Sequence, residues 1–385
     1  MIYPPQILLP GPTPVPPSVN LAMQQAMSDH RGSVFTKVKE HVLRELNELL
    51  DVGLNGGVAV LPTSGTGALE AAVQNFLLPG DKVIGVSTGT FGERFVQIAE
   101  KMEVQVRHLR VNYGTAFDPA QILDVLQEEQ HDIKAILVTH NETSTGVLNP
   151  VEQLANLLNR VPNPPLLIVD SISGVPSVPL KVVRNHIDVI IAASQKGFMC
   201  PPGLGILAVS ERARNQIIAE RPGRLFFDLR PYLEGQFPYT PAVSLWYGLE
   251  EALHLLAEEG ESQRLARHQL LSRISRAFGQ ASGLTPPVEE QFTSPTVTAL
   301  QAPKGISPAD FRNQTAKLGL QIAGAMGPWH HDYIRIGHVG AVLPEQLFEG
   351  LATLAHLLPA GFDGIEAAWV TWHNAITVDE EVHSK

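Results

Sequence analysis

Hydrophobic and polar positions along the chain follow two periods, and the arrangement changes past the middle. Val38, Val42, Leu43, Leu46, Leu49 and Leu50 recur at helical spacing with charges between them, which predicts a helix over 35–50. Short apolar runs at 58–61, 82–86, 135–140, 166–170 and 187–193 then read as strands. Between them, 68–78, 91–102, 119–128 and 151–160 read as helices. The strand runs are apolar at successive positions, so both of their faces are expected to be covered. Such strands, alternating with helices, predict an α/β domain with a mostly parallel sheet between helical layers.

A different order follows. Residues 244–281 read as long helix broken near Gly260, and strands are expected at 296–300, 320–325 and 333–336. Ser307-Pro308 is a helix start, with serine as cap and proline in the first position, and 344–358 is a closing helix. This β-α-β-β-α order suits a smaller α+β C-terminal domain. The expected division is an extended arm over 1–20, a large α/β domain over 21–255, the small domain over 256–360 and a tail over 361–385. The arm carries Pro10, Pro12, Pro14, Pro16 and Pro17, so neither helix nor central strand is expected there. It would lie over its own domain or across a dimer partner. The tail carries Trp369 and Trp372, ends acidic, and has no functional reading.

Composition narrows the class. With 44% apolar and 17% charged residues among 385, the chain is an ordinary globular protein. A net charge of -11 argues against nucleic-acid or anionic-membrane partners, which favour a basic face. Cys200 is the only cysteine, which excludes an intrachain disulfide framework and a Cys-rich zinc site. His330-His331 has no third ligand at useful spacing, so no metal site is expected. The first five residues lack the basic and apolar parts of a secretory signal, and the apolar runs are too short to span a bilayer. A cytoplasmic location is expected.

Five positions carry candidate chemistry, each with an ordinary reading beside it. Lys196 follows the strand 187–193 within Ser194-Gln195-Lys196, where an open α/β sheet presents its chemistry. It is either a lysine that ends a strand or a Schiff-base lysine for a carbonyl cofactor. Ser64-Gly65-Thr66-Gly67 joins a strand to a helix, and is a capped turn or a phosphate cradle of free N–H groups, hydroxyls and glycine. It lacks the lysine of a P-loop and the spacing of a dinucleotide fingerprint. Asp170 ends an apolar strand, as a cap or as the partner of a protonated pyridine nitrogen. Phe91 is a core residue or a ring that stacks on a flat cofactor. Arg335 is a salt-bridge residue, with Asp332 nearby in sequence, or the guanidinium that takes a substrate carboxylate.

In this order the motifs resemble those of the class V pyridoxal-phosphate aminotransferases, nearest the alanine–glyoxylate and serine–glyoxylate (serine–pyruvate) branch. The resemblance runs from Leu9-Pro10-Gly11-Pro12-Thr13 through Ser64–Ala71, His140–Val147, Val169-Asp170-Ser171 and Ser194–Gly197. It continues through Pro201-Pro202-Gly203 and Thr240–Leu245 to Arg335-Ile336-Gly337. It implies fold type I, with a sheet of the seven-stranded type, and pyridoxal 5'-phosphate as cofactor. It further implies that Lys196 bonds the cofactor and carries protons, Asp170 binds the pyridine nitrogen and Phe91 stacks on the ring. Ser64, Gly65, Thr66 and Gln195 would hold the phosphate, Thr143 the phenolic oxygen, and Arg335 the substrate carboxylate. Thr240 would be a phosphate contact given by the neighbouring subunit, making the enzyme a homodimer with composite sites. Phe237 stands where some relatives present a phosphate-binding tyrosine, so that contact is absent or supplied by Tyr239.

The implied reaction is ping-pong transamination from a small amino acid, alanine or serine, to a 2-oxo acid such as glyoxylate or pyruvate. A cysteine desulfurase is disfavoured, because Phe91 takes the ring position and Cys200 lies only four residues after Lys196. Two alternatives stay open: another class V reaction, such as an aminoethylphosphonate transaminase or a lyase, and a scaffold role as a subunit of a redox complex.

Overall fold

The computed structural model describes residues 5–129 and 132–383. Its large sheet has seven strands, in the spatial order Gly57–Leu61, Gly205–Val209, Val189–Ala193, Leu166–Asp170, Ala135–Thr139, Lys82–Ser87 and Gln105–Arg110. Gly205–Val209 runs antiparallel to both neighbours, and the remaining pairs are parallel. This is the sheet that the resemblance implied. Side chains alternate between two cores: Val58, Val60, Val169 and Ile190 face one, Ala59, Leu61, Ile168 and Ile191 the other. Helices close both faces, Gly65–Phe76 and Thr90–Lys101 on one side, Ser33–Leu49 and Val243–Glu259 on the other.

Two strands escape the sequence pattern. Gln105–Arg110 is an edge strand of mostly polar residues, so no apolar run announces it. Gly205–Val209 is wholly buried but short, and it follows directly on the proline–glycine turn at 201–203.

The smaller sheet has the order Gln6–Leu8, Leu320–Gly324, Tyr333–Gly337, Val297–Gln301. Gln6–Leu8 joins it in parallel to Leu320–Ile322, although it comes from the other end of the chain. The first twenty residues are therefore not the uniformly extended arm expected from their prolines. Gln6–Leu8 is an edge strand, and Pro17–Ala22 is a helix with Pro17 in its first turn. There proline's missing N–H is no loss, since that group has no helical partner in any case. The tail is helical over Gly361–His383 and lies against the helix Glu261–Ala281, with Ala368 buried and Trp372 packed on the small core. Among the described residues, no helix is long and apolar enough to cross a membrane.

Candidate active site

The parallel strands all point the same way, so their carboxyl ends and the turns after them share one edge of the sheet. Leu61 leads to Ser64 and Ser87 to Phe91; Thr139 leads to Thr143, Asp170 closes its own strand, and Ala193 leads to Lys196. These turns enclose a cavity of ≈ 160 Å³ lined by Ser64, Gly65, Thr66, Phe91, Thr143, Asp170, Gln195 and Lys196, together with Leu69, Arg94, Asn141, Ile172 and Ser173. A wider depression of ≈ 620 Å³ lies at the opposite edge, where Asp188 and Arg212 neutralise one another in an ion pair. The convergence of unpaired titratable groups marks the smaller cavity as the site.

Ser64 caps the helix Gly65–Phe76, its Oγ accepting the N–H of Gly67 at 3.1 Å. That bond uses one of the free N–H groups of the first turn and leaves the earlier ones for an anion. Asp170 is buried, and its Oδ1 accepts the Ile172 N–H at 3.0 Å. Burial pushes its carboxyl up to about 7, against the weaker downward pull of that hydrogen bond. Lys196 is pushed down to about 8, by burial first and then by the positive charge of Arg335. Its Nζ donates to the carbonyl of Pro10 at 2.6 Å.

Arg335 stands beside the cavity on the small sheet, on the strand Tyr333–Gly337. Its Nε donates to Gly324 O at 2.9 Å and its Nη1 to Thr143 O at 2.8 Å, so backbone, not Asp332, fixes it. The end of the guanidinium, with Nη2 and the second Nη1 hydrogen, stays available for a carboxylate. Burial holds this group down to about 10, and it remains a cation at neutral pH. Thr143 Oγ1 donates to Ser173 Oγ at 2.6 Å, and Ser173 Oγ donates in turn to Asn141 O at 2.8 Å.

Thr240 is exposed and does not line this chain's own cavity. Phe237 packs on Phe35 and Trp246 at centroid distances of 5.8 and 5.1 Å, while Tyr239 stacks on Phe226 at 5.2 Å. Among the described residues, no group of three or more His, Cys, Asp or Glu side chains is placed to hold a metal ion.

Several residues at or beside the cavity carried no individual reading in sequence, among them Arg94 and Glu142. Arg94 lies one helical turn after Phe91, and its guanidinium sits 5.0 Å from that ring's centroid. The spacing of three residues is the signal that places both on one helix face. Glu142 is fully buried and accepts the N–H groups of Phe91 and Gly92 at 3.1 and 3.0 Å, capping the helix Thr90–Lys101 from another element. No local pattern announces a cap supplied from so far along the chain.

The cavity suits pyridoxal phosphate on its own terms. The capped helix start offers N–H donors to a phosphate, in a turn that lines the cavity. Among the described residues Asp170 forms no ion pair, so its buried carboxyl suits a protonated pyridine nitrogen, and the partly unprotonated Lys196 amine suits a carbonyl carbon. Fold and site together define a pyridoxal-phosphate-dependent aminotransferase of fold type I. Comparison with known proteins agrees. Residues 8–310 match the family described as aminotransferase class-V. The serine–glyoxylate aminotransferase of Hyphomicrobium methylovorum is 36% identical over 373 residues, covering 93% of this chain and 90% of the relative. The soluble hydrogenase 42 kDa subunit of Anabaena cylindrica is 32% identical, covering 91% and 92%. The crystal structure of ureidoglycine–glyoxylate aminotransferase from Bacillus subtilis superposes with a TM-score of 0.89 at 27% identity, over 96% of this chain and 98% of that one. The chain belongs to the class V aminotransferases, as its motifs implied.

Proposed function

We propose that the protein moves the amino group of a small L-amino acid, alanine or serine, to a 2-oxo acid such as glyoxylate or pyruvate, in two ping-pong halves. The observation that carries this reading is the meeting of a lysine amine depressed to about 8 with the unpaired carboxylate of Asp170 in one cavity, beside an arginine tied down by backbone. The named activity of the Hyphomicrobium relative supports glyoxylate as acceptor.

Bound pyridoxal phosphate supplies an electron sink for the charge that develops at the substrate's Cα. Ser64, Gly65, Thr66 and Gln195 would hold its phosphate, Phe91 would pack on its ring, and Thr143 would be the hydrogen-bond partner of its phenolic oxygen. Asp170 keeps the proton on the ring nitrogen, an ion pair that offsets the desolvation of both groups. Lys196 first holds the cofactor. Once free, its amine would take and return the proton at the substrate's Cα. Its depressed pKa leaves part of the amine unprotonated at neutral pH, as a base requires. Arg335 binds the substrate carboxylate and so orients the Cα–H bond.

Thr240, exposed in the single chain, suits a phosphate contact made to a second copy, and we read the enzyme as a homodimer with composite sites. The lone, buried Cys200 suits a reducing compartment such as the cytoplasm. The test is spectroscopic. The purified protein should show the visible band of bound cofactor, and L-alanine or L-serine without an acceptor should remove it with release of pyruvate or hydroxypyruvate. A protein that stays colourless with added cofactor would sink the reading. The likeness to the Anabaena hydrogenase subunit favours a second role as a subunit of a redox complex, which Lys196→Ala would retain while losing transamination.

A further inference from the structure

The acceptor for Lys196 comes from neither neighbouring strand but from the amino-terminal segment, through the carbonyl of Pro10. That segment is fixed on both sides of the contact. Upstream, Gln6–Leu8 pairs with Leu320–Ile322. Downstream, the Thr13 N–H donates to Gln195 O at 3.1 Å and its hydroxyl to Val339 O at 2.6 Å. Gly11 has φ of +125°, and a Cβ there would lie 2.2 Å from Lys196 Nζ, so the backbone passes the amine with no room for a side chain. A Cβ on Gly337 would lie 2.0 Å from the carbonyl carbon of Leu9, so the peptide leading into Pro10 is closely seated as well.

We propose that the Pro10 carbonyl is a dock for the free amine of Lys196, holding it at the cavity in the part of the cycle when the lysine is not bonded to the cofactor. The proposal rests on the role given to Lys196 above. A backbone carbonyl suits the task because it accepts a hydrogen bond and never titrates. A carboxylate in its place would hold the lysine as an ammonium more firmly. The segment brings no charge of its own; the charged groups acting on the amine are Asp170 and Arg335, with Arg94 and Glu142 acting on Asp170 in turn. Gln6–Leu8 and the Arg335 strand belong to one sheet, so the dock and the carboxylate-binding group are carried together.

Two measurements test this. In a crystal structure of the wild-type protein with pyridoxamine phosphate, Nζ should lie within about 3.2 Å of Pro10 O; a separation beyond about 4 Å, outside hydrogen-bond range, overturns the dock. Gly11→Ala puts a Cβ between the segment and Nζ, and Gly337→Ala displaces the Leu9–Pro10 peptide from its seat, so each disturbs the contact by a separate route. For each soluble, cofactor-free variant, the rate at which the visible band appears with added pyridoxal phosphate is followed against pH. Loss of the acceptor withdraws support from the ammonium form, so the midpoint should fall by about one pH unit. A merely structural role would lower the melting temperature and leave the midpoint in place. A soluble variant with the wild-type midpoint overturns the dock but leaves the lysine's role intact, whereas a wild-type protein that never forms the band removes that role. If neither variant is soluble, the crystal structure decides.

Discussion

Glu142 accepts the backbone N–H of Phe91 at 3.1 Å, so the ring at the cavity wall is held by a carboxylate fifty-one positions along the chain. The same carboxylate accepts from Gly92 at 3.0 Å, from the Ser144 N–H at 3.0 Å and from Ser144 Oγ at 2.6 Å. It does the work of an N-cap that Gly89 has no side chain to do. Burial pushes its carboxyl above the ordinary range for glutamate, and these hydrogen bonds pull the other way.

Glu142→Ala would strand several buried donors at once. A loss of about 2–4 kcal/mol in unfolding free energy is expected, together with weaker retention of pyridoxal phosphate because the Phe91 helix start is no longer fixed. Urea unfolding and equilibrium dialysis of the cofactor measure the two effects. An unchanged unfolding midpoint would show that the cap is dispensable.

Asp170 gives a pH dependence with a defined sign. Its carboxyl is raised from 3.8 to about 7 in the folded protein, so the fold takes up a proton that the unfolded chain does not. The resulting stabilisation of cofactor-free protein is complete below about pH 4 and is lost as pH rises through about 7, on the order of 4 kcal/mol at most. Asp170→Asn should flatten that part of the stability–pH curve. If Asp170 pairs with the ring nitrogen as proposed, the same substitution in the loaded enzyme should lower kcat about 100-fold or more. Urea titrations across pH and steady-state rates check the two statements separately.

Arg335→Ala should lower kcat/KM for an amino acid by roughly 10- to 100-fold, the worth of a charge-assisted hydrogen-bonded contact. An amine that lacks the α-carboxylate should react equally with both proteins. Equal losses for the two substrates would mean that Arg335 supports the fold alone.

Cys200 is buried, and burial pushes its thiol up to about 12. Native protein should resist iodoacetamide at pH 8, at which only a minute fraction would be thiolate, while unfolded protein should take up the label quickly. Mass spectrometry of labelled samples reads this directly. Rapid labelling of the native protein would reopen a role for this sulfur.

The positions that could be read in sequence share a physical trait. Asp170 closes an apolar strand, Lys196 follows one within three residues, and Ser64 opens a glycine-bearing helix start, so each is a polar residue at an element boundary that the sequence marks. Glu142 and Arg94 were silent because their partners lie in space or on a helix face that no apolar run marks. The carbonyl of Pro10 had no signal at all, since a backbone acceptor leaves no trace in residue type. The parallel core strands follow from their apolar runs, whereas the polar edge strand Gln105–Arg110 and the pairing of Gln6–Leu8 depend on tertiary contacts.

That last pairing bears on how the molecule is made. Gln6–Leu8 emerges from the ribosome well before its partner strand Leu320–Gly324, with every strand of the large sheet made between them. At about 5–20 residues per second the first strand waits tens of seconds for a sheet to join. The large sheet closes without it. The segment against Lys196 and the strand bearing Arg335 therefore settle together, after the large sheet, so a nascent chain holds the parts of the cavity long before it holds a complete one.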